Sequence, residues 1–288
     1  MDSMEETMAK QILECSSSEY FSRPEVSNSM MKTFRGQGSW TYYHKYITKT
    51  VDDSKQSDSL RLGSAFHSYM ECAGRCLNTD EHLQEWLTVL PEYIDDEPLN
   101  LRLKAHREFV EEYKQLADDR EIPWVTPAEF QNISGMVDSA LVNPVASDLI
   151  LRATESTCEV KAINTINGVD VKGMADLYLP EINTIVDYKT TRQHSLKGFI
   201  KDAIYKYKYH LQAAHYCDVF ECDKFIFIAV RNFEPFETIV YEVHPSLIQQ
   251  GKVANHSTLD DIKFCTEMDE WHTDGWMETN SLEEIKHG

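Results

Sequence analysis

Two short apolar, β-favouring segments, each with an aspartate, constrain the fold of this chain more than any other feature. Asp176 lies inside the segment 175–179, and Asp187 directly follows the segment 184–186. The break between them, residues 180–183, begins with proline and ends with asparagine, a composition typical of hairpin turns. We therefore predict two adjacent strands that hold both carboxylates in one pocket.

The residue types on these two strands suit metal-dependent hydrolysis. Carboxylate oxygens are the ligands that Mg²⁺ requires. Lys189 follows Asp187 by two positions and can orient or help deprotonate a water molecule on the metal. By itself, an Asp-x-Lys at the end of a strand is more often solvated surface. The functional interpretation therefore depends on the other motifs of the chain.

Further motifs accompany the two aspartates in a defined order. Apolar residues recur at helical spacing over 59–77, and His67 lies beside this apolar stripe. A histidine there is either a satisfied core residue or a metal ligand, and the neighbouring motifs favour the ligand. Downstream, Gln212 and Tyr216 share one face of a predicted helix. In order, the chain reads Gly63-x-x-x-His67, Gly173-x-x-Asp176, Asp187-Tyr188-Lys189 and Gln212-x-x-x-Tyr216.

This order of motifs resembles the RecB-like branch of the PD-(D/E)xK nuclease superfamily. The flanking segments 26–32, 225–230 and 240–241 make the chain similar to the nuclease domain of RecE-type phage exonucleases (exonuclease VIII), and the resemblance covers about residues 25–250. It implies an α/β fold with a PD-(D/E)xK (restriction-endonuclease-like) core. In such a core a central mixed sheet is flanked by helices, and we expect an N-terminal helical insertion as well.

The resemblance also implies a metal site. The expected ligands of one or two Mg²⁺ ions, with Mn²⁺ as a substitute, are His67, Asp176, Asp187 and the backbone carbonyl of Tyr188. With the two aspartates, Lys189 would complete the catalytic set. RecE-like sequences carry an acidic residue in the first core strand, here Glu159, which is either a further metal ligand or an edge glutamate facing solvent. The chain has Met174-Ala175 where RecE-type sequences usually have Arg-Pro, so we expect a weaker phosphate contact with the metal ligands kept in place.

The expected DNA path is basic although the chain as a whole is acidic. The formal net charge is −20, which opposes DNA binding, but the local patch decides where phosphates bind. By resemblance, Gln212 and Tyr216 face the DNA. Lys197, Lys201 and Lys208 fall at four- and seven-residue spacing on the same predicted helix, 195–220. We expect these lysines to line the DNA path; the alternative is that they merely solvate a helix face.

RecE-type exonucleases degrade one strand of linear double-stranded DNA from its 5′ end and form closed rings around it. The resemblance therefore implies a ring-shaped homo-oligomer that leaves 3′ overhangs for recombination, with a single-strand annealing protein as partner. Two alternatives remain. One is a Cas4-like or other RecB-like nuclease of different polarity. The other is a non-catalytic DNA-end-binding or DNA-mimicking protein on a nuclease scaffold.

The composition excludes several classes of protein. With 42% hydrophobic and 26% charged residues, the chain has the balance of a globular protein, and no apolar run reaches the ~20 residues needed to span a bilayer. The N-terminus lacks the order of a secretory signal, so we expect a cytoplasmic location, in a bacterium or a phage-infected host, and no membrane partner. Seven scattered cysteines do not form a disulfide framework. Because Cys265 stands alone near the C-terminus, no iron–sulfur cluster is expected.

The pattern along the chain predicts three regions. Residues 1–24 form a mobile acidic arm, residues 25–250 the nuclease domain, and residues 251–288 a tail that docks on the domain or on a neighbouring subunit through Trp271 and Trp276. Within the domain we predict helices over 29–34, 102–118 and 127–142 and further strands over 157–162, 225–230 and 238–243.

Overall fold

A six-stranded mixed sheet forms the centre of the protein. The structure, a computed structural model, describes residues 10–51, 57–75, 82–94, 96–100 and 102–272. Neighbouring strands of the sheet pair antiparallel, except for the strands 184–191 and 224–231, which pair in parallel. The predicted central mixed sheet is thereby confirmed. In spatial order its strands are β1 (Gln11–Leu13), β6 (Cys158–Ile166), β7 (Val169–Leu179), β8 (Thr184–Thr191), β9 (Lys224–Arg231) and β10 (Thr238–Glu242).

Helices cover both faces of this sheet. Two small two-stranded sheets lie in the insertion between the third helix and β6: β2 (Thr88–Val89) pairs with β5 (Trp124–Val125), and β3 (Tyr93–Ile94) with β4 (Glu97–Pro98). The helices of the described residues are α1 (Ser17–Ser22), α2 (Asn28–Tyr42), α3 (Asp58–Arg75), α4 (Lys104–Asp119), α5 (Pro127–Val142), α6 (Pro144–Ile150), α7 (Leu196–Lys201), α8 (Tyr209–Phe220) and α9 (Pro245–Met268).

The core consists of two apolar layers, one on each side of the sheet. Alternate residues of a strand point to opposite faces. Ile185 and Phe227 therefore pack with α2, α8 and α9. Their neighbours Val186 and Ile228 pack with α3, α5 and α6 on the other side. Burial on both faces explains why β8 and β9 read as nearly continuous apolar runs in the sequence.

The predicted helices of the insertion are confirmed as α4 and α5. Thr126 caps α5: its hydroxyl accepts from the Glu129 backbone N–H, and the Glu129 carboxylate accepts from the Thr126 N–H. The same carboxylate binds the guanidinium of Arg61 on α3, with a shortest N–O distance of 2.7 Å. The cap therefore also ties the insertion to the helix that carries His67.

From residue 10 onward the N-terminal segment differs from the predicted mobile arm, and residues 1–9 of that arm lie outside the described residues. Residues 11–13 pair with β6 as an edge strand, and α1 follows. The buried Lys172 side chain on β7 holds the next residues, because its ammonium donates to the carbonyls of Tyr20 at 2.9 Å and Arg23 at 2.6 Å. A lone lysine in a strand gives no sequence signal for such long-range anchoring.

The C-terminal region also differs from the predicted tail. Helix α9 begins at Pro245 and runs through the predicted boundary at 251 to Met268, packed on α8 and α2. Trp271 then stacks on Tyr42, with ring centroids 5.8 Å apart. This part of the chain therefore belongs to the domain core, while Trp276 lies outside the described residues.

The predicted continuous helix over 195–220 is wrong. Helix α7 ends at Lys201, a π-helical turn spans Asp202–Lys206, and Lys208 has left-handed backbone angles, φ 57° and ψ 38°, before α8 begins. Apolar residues stay at helical spacing across the break, so periodicity alone does not reveal it. Lys208 therefore shares no helix with Lys197 and Lys201.

Two further observations concern membrane-spanning helices and the positions of the cysteines. None of the helices in the described ranges is long and apolar enough to cross a lipid bilayer. Cys72 packs in one apolar layer of the core and Cys217 in the other, so the sheet separates these two cysteines. Cys76 lies outside the described residues.

Candidate active site

The candidate site lies at the fork where β7 and β8 separate. The two strands pair at Leu177 and Val186, and the same register continued would place Asp176 opposite Asp187. The strand pairing stops there instead. The Asp176 carboxylate accepts the backbone N–H of Tyr188 through Oδ2, at 2.8 Å. A side-chain hydrogen bond thus replaces the backbone pairing, and the two strands separate at the aspartates.

His67 reaches this fork from α3. Its Nδ1 lies 3.3 Å from Oδ1 of Asp176. Burial disfavours the charged imidazole, but the Asp176 carboxylate outweighs it and raises the pKa of His67. Burial alone would also raise the pKa of Asp176, yet His67 and then Lys189 lower it. The two side chains therefore stabilise each other's charged forms.

Asp187 is the most deeply buried acid of the site, with 2% of its surface exposed. Its Oδ2 contacts the ammonium of Lys189, and its Oδ1 accepts a hydrogen bond from Nε2 of Gln212 at 2.6 Å. Burial raises the pKa of Asp187 to about 6, although the Lys189 charge opposes this. For Lys189, burial would lower the pKa, but the Asp187 and Asp176 charges raise it. The site therefore holds a carboxyl group that changes charge near neutrality.

Gln212 supports Asp187 from α8. Its Nε2 donates to Asp187, and Tyr216, one helical turn later, lies with it in the cavity wall. Helix α8 lies close to β7 because Gly173 has no side chain: a Cβ there would lie 3.2 Å from Phe220 and 3.3 Å from Val219. The glycine of the Gly-x-x-Asp motif thus lets the helix approach the strand that carries Asp176.

A cavity of about 980 Å³ opens onto this site. His67, Lys189 and Gln212 lie in its wall. The described residues that line it include no aspartate or glutamate, which is unusual for a chain of net charge −20. Its basic lining residues are Arg23, Lys32, Lys45, Lys49, Lys172 and Lys189. The positive surface beside the site is therefore built largely from the N-terminal segment.

The three lysines that were predicted to form a stripe lie away from the cavity. Lys197, Lys201 and Lys208 are all exposed, and they are not among the residues that line the cavity. Because the helix break separates Lys208 from the other two, the three do not form the expected stripe. The sequence analysis missed the basic residues at 23, 32, 45 and 49, since they are dispersed through α2 and its flanks without a motif.

Glu159 is placed near the site but not within its hydrogen-bonding network. It has a left-handed φ of 45°, and the β6–β7 pairing skips it: Cys158 pairs with Leu177 and Val160 with Ala175. Its side chain is exposed. The proposed metal-ligand role of Glu159 stays a prediction.

Glu71 is an acidic neighbour of the site that the sequence analysis missed. It lies one helical turn after His67 on α3, so helical spacing from the motif histidine is the signal that points to it. Its carboxylate binds Arg75 at 2.8 Å. Burial, with the charges of Glu159 and Asp176, raises the pKa of Glu71 to about 7. A further ionisable acidic group of the site therefore lies one turn beyond His67 on α3.

The donors at the fork fit a hard divalent cation in chemical type. Asp176 and Asp187 supply carboxylate oxygens and His67 an imidazole nitrogen. Among the described residues, no three acidic, histidine or cysteine side chains stand at the mutual spacing of a formed metal site. Each carboxylate oxygen has two lone-pair positions, so one protein donor per oxygen leaves acceptor capacity for a cation.

The fold is shared with a solved structure. The structure of a candidate exonuclease from Eubacterium rectale is similar to this chain, with a TM-score of 0.63, 13% identity and coverage of 96% of this chain and 99% of that one. A phage-related exonuclease from Haemophilus somnus 129PT matches 70% of this chain and 95% of its own, with 14% identity and a TM-score of 0.31. No curated protein matches the sequence.

The match to a family covers most of the chain. It spans residues 27–278 and therefore includes α2, the whole site at the β7–β8 fork and α9. The chain belongs to the family described as the PDDEXK-like domain of unknown function, DUF3799.

Proposed function

We propose that the protein is a metal-dependent exodeoxyribonuclease that degrades one strand of linear double-stranded DNA. One observation carries this proposal: Asp176, Asp187, Lys189 and His67 meet at a strand fork beside a cavity with a basic lining. The PDDEXK-like family match and the shared fold are consistent with hydrolysis of a phosphodiester bond.

The proposed metal is Mg²⁺, for which Mn²⁺ would substitute. Asp176, Asp187, His67 and the backbone carbonyl of Tyr188 would hold it. When bound, the cation would lower the pKa of water in the site and neutralise charge on the phosphate. Two hydrogen bonds orient the proposed carboxylate ligands. Gln212 fixes the Asp187 carboxylate, and the Tyr188 N–H fixes the Asp176 carboxylate.

Lys189 has the position of the group that orients or activates the attacking water. Its ammonium touches Asp187 and lies in the cavity wall, where a phosphate would approach. A lysine ammonium is a compact donor that shifts its pKa with its surroundings, which suits proton handling better than the guanidinium of arginine. The charges of Asp187 and Asp176 hold the proton on Lys189, so Lys189 would release it more readily where those charges are offset.

The cavity accounts for binding of an acidic substrate by an acidic protein. Phosphate neutralisation supplies most of the affinity for nucleic acid. Lys32 and Lys49 are exposed on the cavity wall, whereas Lys172 already donates to backbone carbonyls. We therefore assign the phosphate contacts to the N-terminal segment and α2.

The remaining features of the proposal rest on the resemblance to RecE-type exonucleases. They are 5′-to-3′ polarity, 3′ overhangs for recombination, a ring-shaped homo-oligomer, a single-strand annealing partner and action in the bacterial or phage-infected cytoplasm. A ring follows physically from a head-to-tail interface that closes on itself, and it would keep the enzyme on its substrate.

The decisive experiment compares linear and circular duplex DNA. The linear duplex carries a label at either the 5′ or the 3′ end, and each digestion runs with Mg²⁺ or with a chelator. We expect loss of the linear substrate alone, only with Mg²⁺, and early release of the 5′ label. Early release of the 3′ label would indicate the RecB-like alternative of opposite polarity. Binding of DNA ends without any cleavage would overturn the proposed enzyme.

A further inference from the structure

The break between α7 and α8 places two tyrosine rings in parallel. The rings of Tyr207 and Tyr209 are stacked, with centroids 5.2 Å apart and an interplanar angle of 18°. In a continuous α-helix, residues two apart point about 200° away from each other and cannot stack. The left-handed conformation of Lys208 between them removes this obstacle. This conformation is strained for a residue other than glycine, so surrounding structure must compensate for it.

The stacked pair is the outer end of a row of aromatic rings. Phe225 and Phe227 are fully buried in β9, with centroids 4.9 Å apart, and Tyr209 lies 5.4 Å from Phe227. The row thus runs from the core of the sheet to the surface. At its outer end Tyr207 keeps 39% of its surface exposed. Packing alone would bury this last ring, whereas an exposed ring on a rigid support is the form of a stacking platform.

The row passes directly beside the catalytic lysine. The ammonium of Lys189 lies 5.3 Å from the ring centroid of Tyr209, which also lines the cavity. The rigid ring therefore connects the proposed reaction centre to the exposed platform. Because Tyr207 stacks on Tyr209 and Tyr209 adjoins Lys189, the outer ring lies within a few nucleotides of the proposed reaction centre.

A second cation stands at the outer ring. The ammonium of Lys206 lies 4.9 Å from the Tyr207 centroid, and its side chain is exposed. An exposed lysine can move off the ring without losing buried contacts. A ring face next to a mobile cation matches the chemistry of a nucleotide, which offers a flat base and a charged phosphate.

We propose that Tyr207, supported by Tyr209, stacks an unpaired nucleobase next to the phosphate that is cleaved. This inference rests on the proposed function and specifies its substrate: the strand reaches the site with its terminal nucleotides separated from the complement. Stacking tolerates every base, since each has an aromatic face, so the platform requires an unpaired strand but no particular sequence.

The test is a scan of abasic positions in a single-stranded oligonucleotide of about 12 nucleotides. Each oligonucleotide lacks one base but keeps its phosphate, and binding to the full-length protein is measured by fluorescence anisotropy in Ca²⁺. With wild-type protein, we expect one position, or two neighbouring ones, where losing the base weakens binding about fivefold or more, which corresponds to ~1 kcal/mol. In Tyr207→Ala the intact oligonucleotide binds about fivefold more weakly, and that position no longer matters.

Two variants separate stacking from a general loss of structure. Tyr207→Trp keeps an aromatic face and should keep the sensitive position. Tyr205→Ala removes a tyrosine that is 72% exposed and lies outside the aromatic row, so it should bind like wild type. If Tyr207→Ala lowers the melting temperature, Tyr207→Leu takes its place, since leucine fills the volume without an aromatic face.

The outcomes for the platform and for the enzyme are distinguishable. If no position is sensitive in wild type, or if the sensitive position persists in Tyr207→Ala and Tyr207→Leu, the platform is overturned even though cleavage continues. If the scan behaves as expected but Mg²⁺ supports no cleavage, the proposed enzyme is wrong and the platform belongs to a binding protein.

Discussion

The Tyr188 backbone N–H donates to the Asp176 carboxylate across the fork between β7 and β8. This bond replaces the strand pairing that would otherwise continue past Leu177 and Val186. It orients Asp176 and, because Tyr188 stands between Asp187 and Lys189, it also sets the distance between the two acidic groups and the lysine. The Asp-Tyr-Lys motif thus builds part of the site through its main chain.

Asp187→Asn should reduce Mg²⁺-dependent degradation by more than about tenfold, at least ~1.4 kcal/mol of transition-state stabilisation, because the amide lacks the charge that a cation needs. Lys189→Ala should have a similar effect. Asn keeps the shape of the side chain and an acceptor for Gln212, so circular dichroism should show an intact fold. The matched control is Asp170→Asn, at an exposed aspartate on the adjacent strand β7. Activity of Asp187→Asn within tenfold of wild type contradicts the assignment.

His67→Ala should weaken the apparent affinity for Mg²⁺ more than it lowers the stability of the fold, because His67 contacts Asp176 in the fork. His215 offers the opposite case: it is 1% exposed, and its Nε2 lies 2.9 Å from the Lys172 carbonyl oxygen in the core. His215→Ala should therefore lower the melting temperature without changing the Mg²⁺ concentration at half-maximal activity. If His67→Ala behaves like His215→Ala, then His67 is a core histidine.

Metal affinity should fall on acidification, because Asp187 has a pKa of about 6 and must lose its proton to bind a cation. Above this pH the carboxylate is ionised and the proton does not compete. Below it, each pH unit should weaken binding about tenfold through this group alone. Calorimetric titration of Mn²⁺ in buffers of different ionisation enthalpy measures both the affinity and the proton released. Affinity that stays constant between pH 7 and pH 5 would show that Asp187 is not a ligand.

Neutralising the cavity lysines should flatten the salt dependence of DNA binding. Each lost phosphate contact removes about 0.9 from the slope of log affinity against log salt, so Lys32→Gln, Lys45→Gln and Lys49→Gln together should lower it by about two to three units. The matched control replaces the exposed Lys104, Lys197 and Lys201, which neither line the cavity nor adjoin the aromatic row. Binding is measured in Ca²⁺ to suppress cleavage. If only the second triple variant flattens the slope, the DNA follows the outer surface as the sequence first suggested.

Lys172→Met should destabilise the protein by about 2 kcal/mol, because it leaves buried carbonyls of residues 20–23 without a charged donor. The segment that supplies Arg23 to the cavity should then become sensitive to proteolysis. Lys224→Met, at an exposed lysine that begins β9, is the comparison for the loss of one charge. Chemical denaturation gives the free energy of unfolding, and equal values for the two variants would contradict the anchoring role.

The local elements of the fold were predictable because their signals are local. The apolar segments around Asp176 and Asp187 determined β7 and β8, and helical periodicity determined α3, α4 and α5. Hairpin pairing then brings the two aspartates together with almost no choice of register, because a four-residue break joins the strands.

Contacts between distant segments were decided only by the tertiary structure. Lys172 holds residues 20–23 against β7, and the N-terminal segment in this way supplies the positive charge of the cavity. No periodicity links positions about 150 apart, since burial and hydrogen bonding select such partners only after the sheet has formed.

The break between α7 and α8 is a short-range feature that local sequence signals did not predict and that only the tertiary structure decided. Apolar spacing continues across residues 202–208, so the sequence predicted one helix and one lysine stripe. The chain instead turns left-handed at Lys208, and the Tyr209 ring packs against Phe227 and beside Lys189. The sequence alone indicated which residues form the candidate site, and tertiary packing decided which surface adjoins it, because only the folded chain brings the aromatic row next to Lys189.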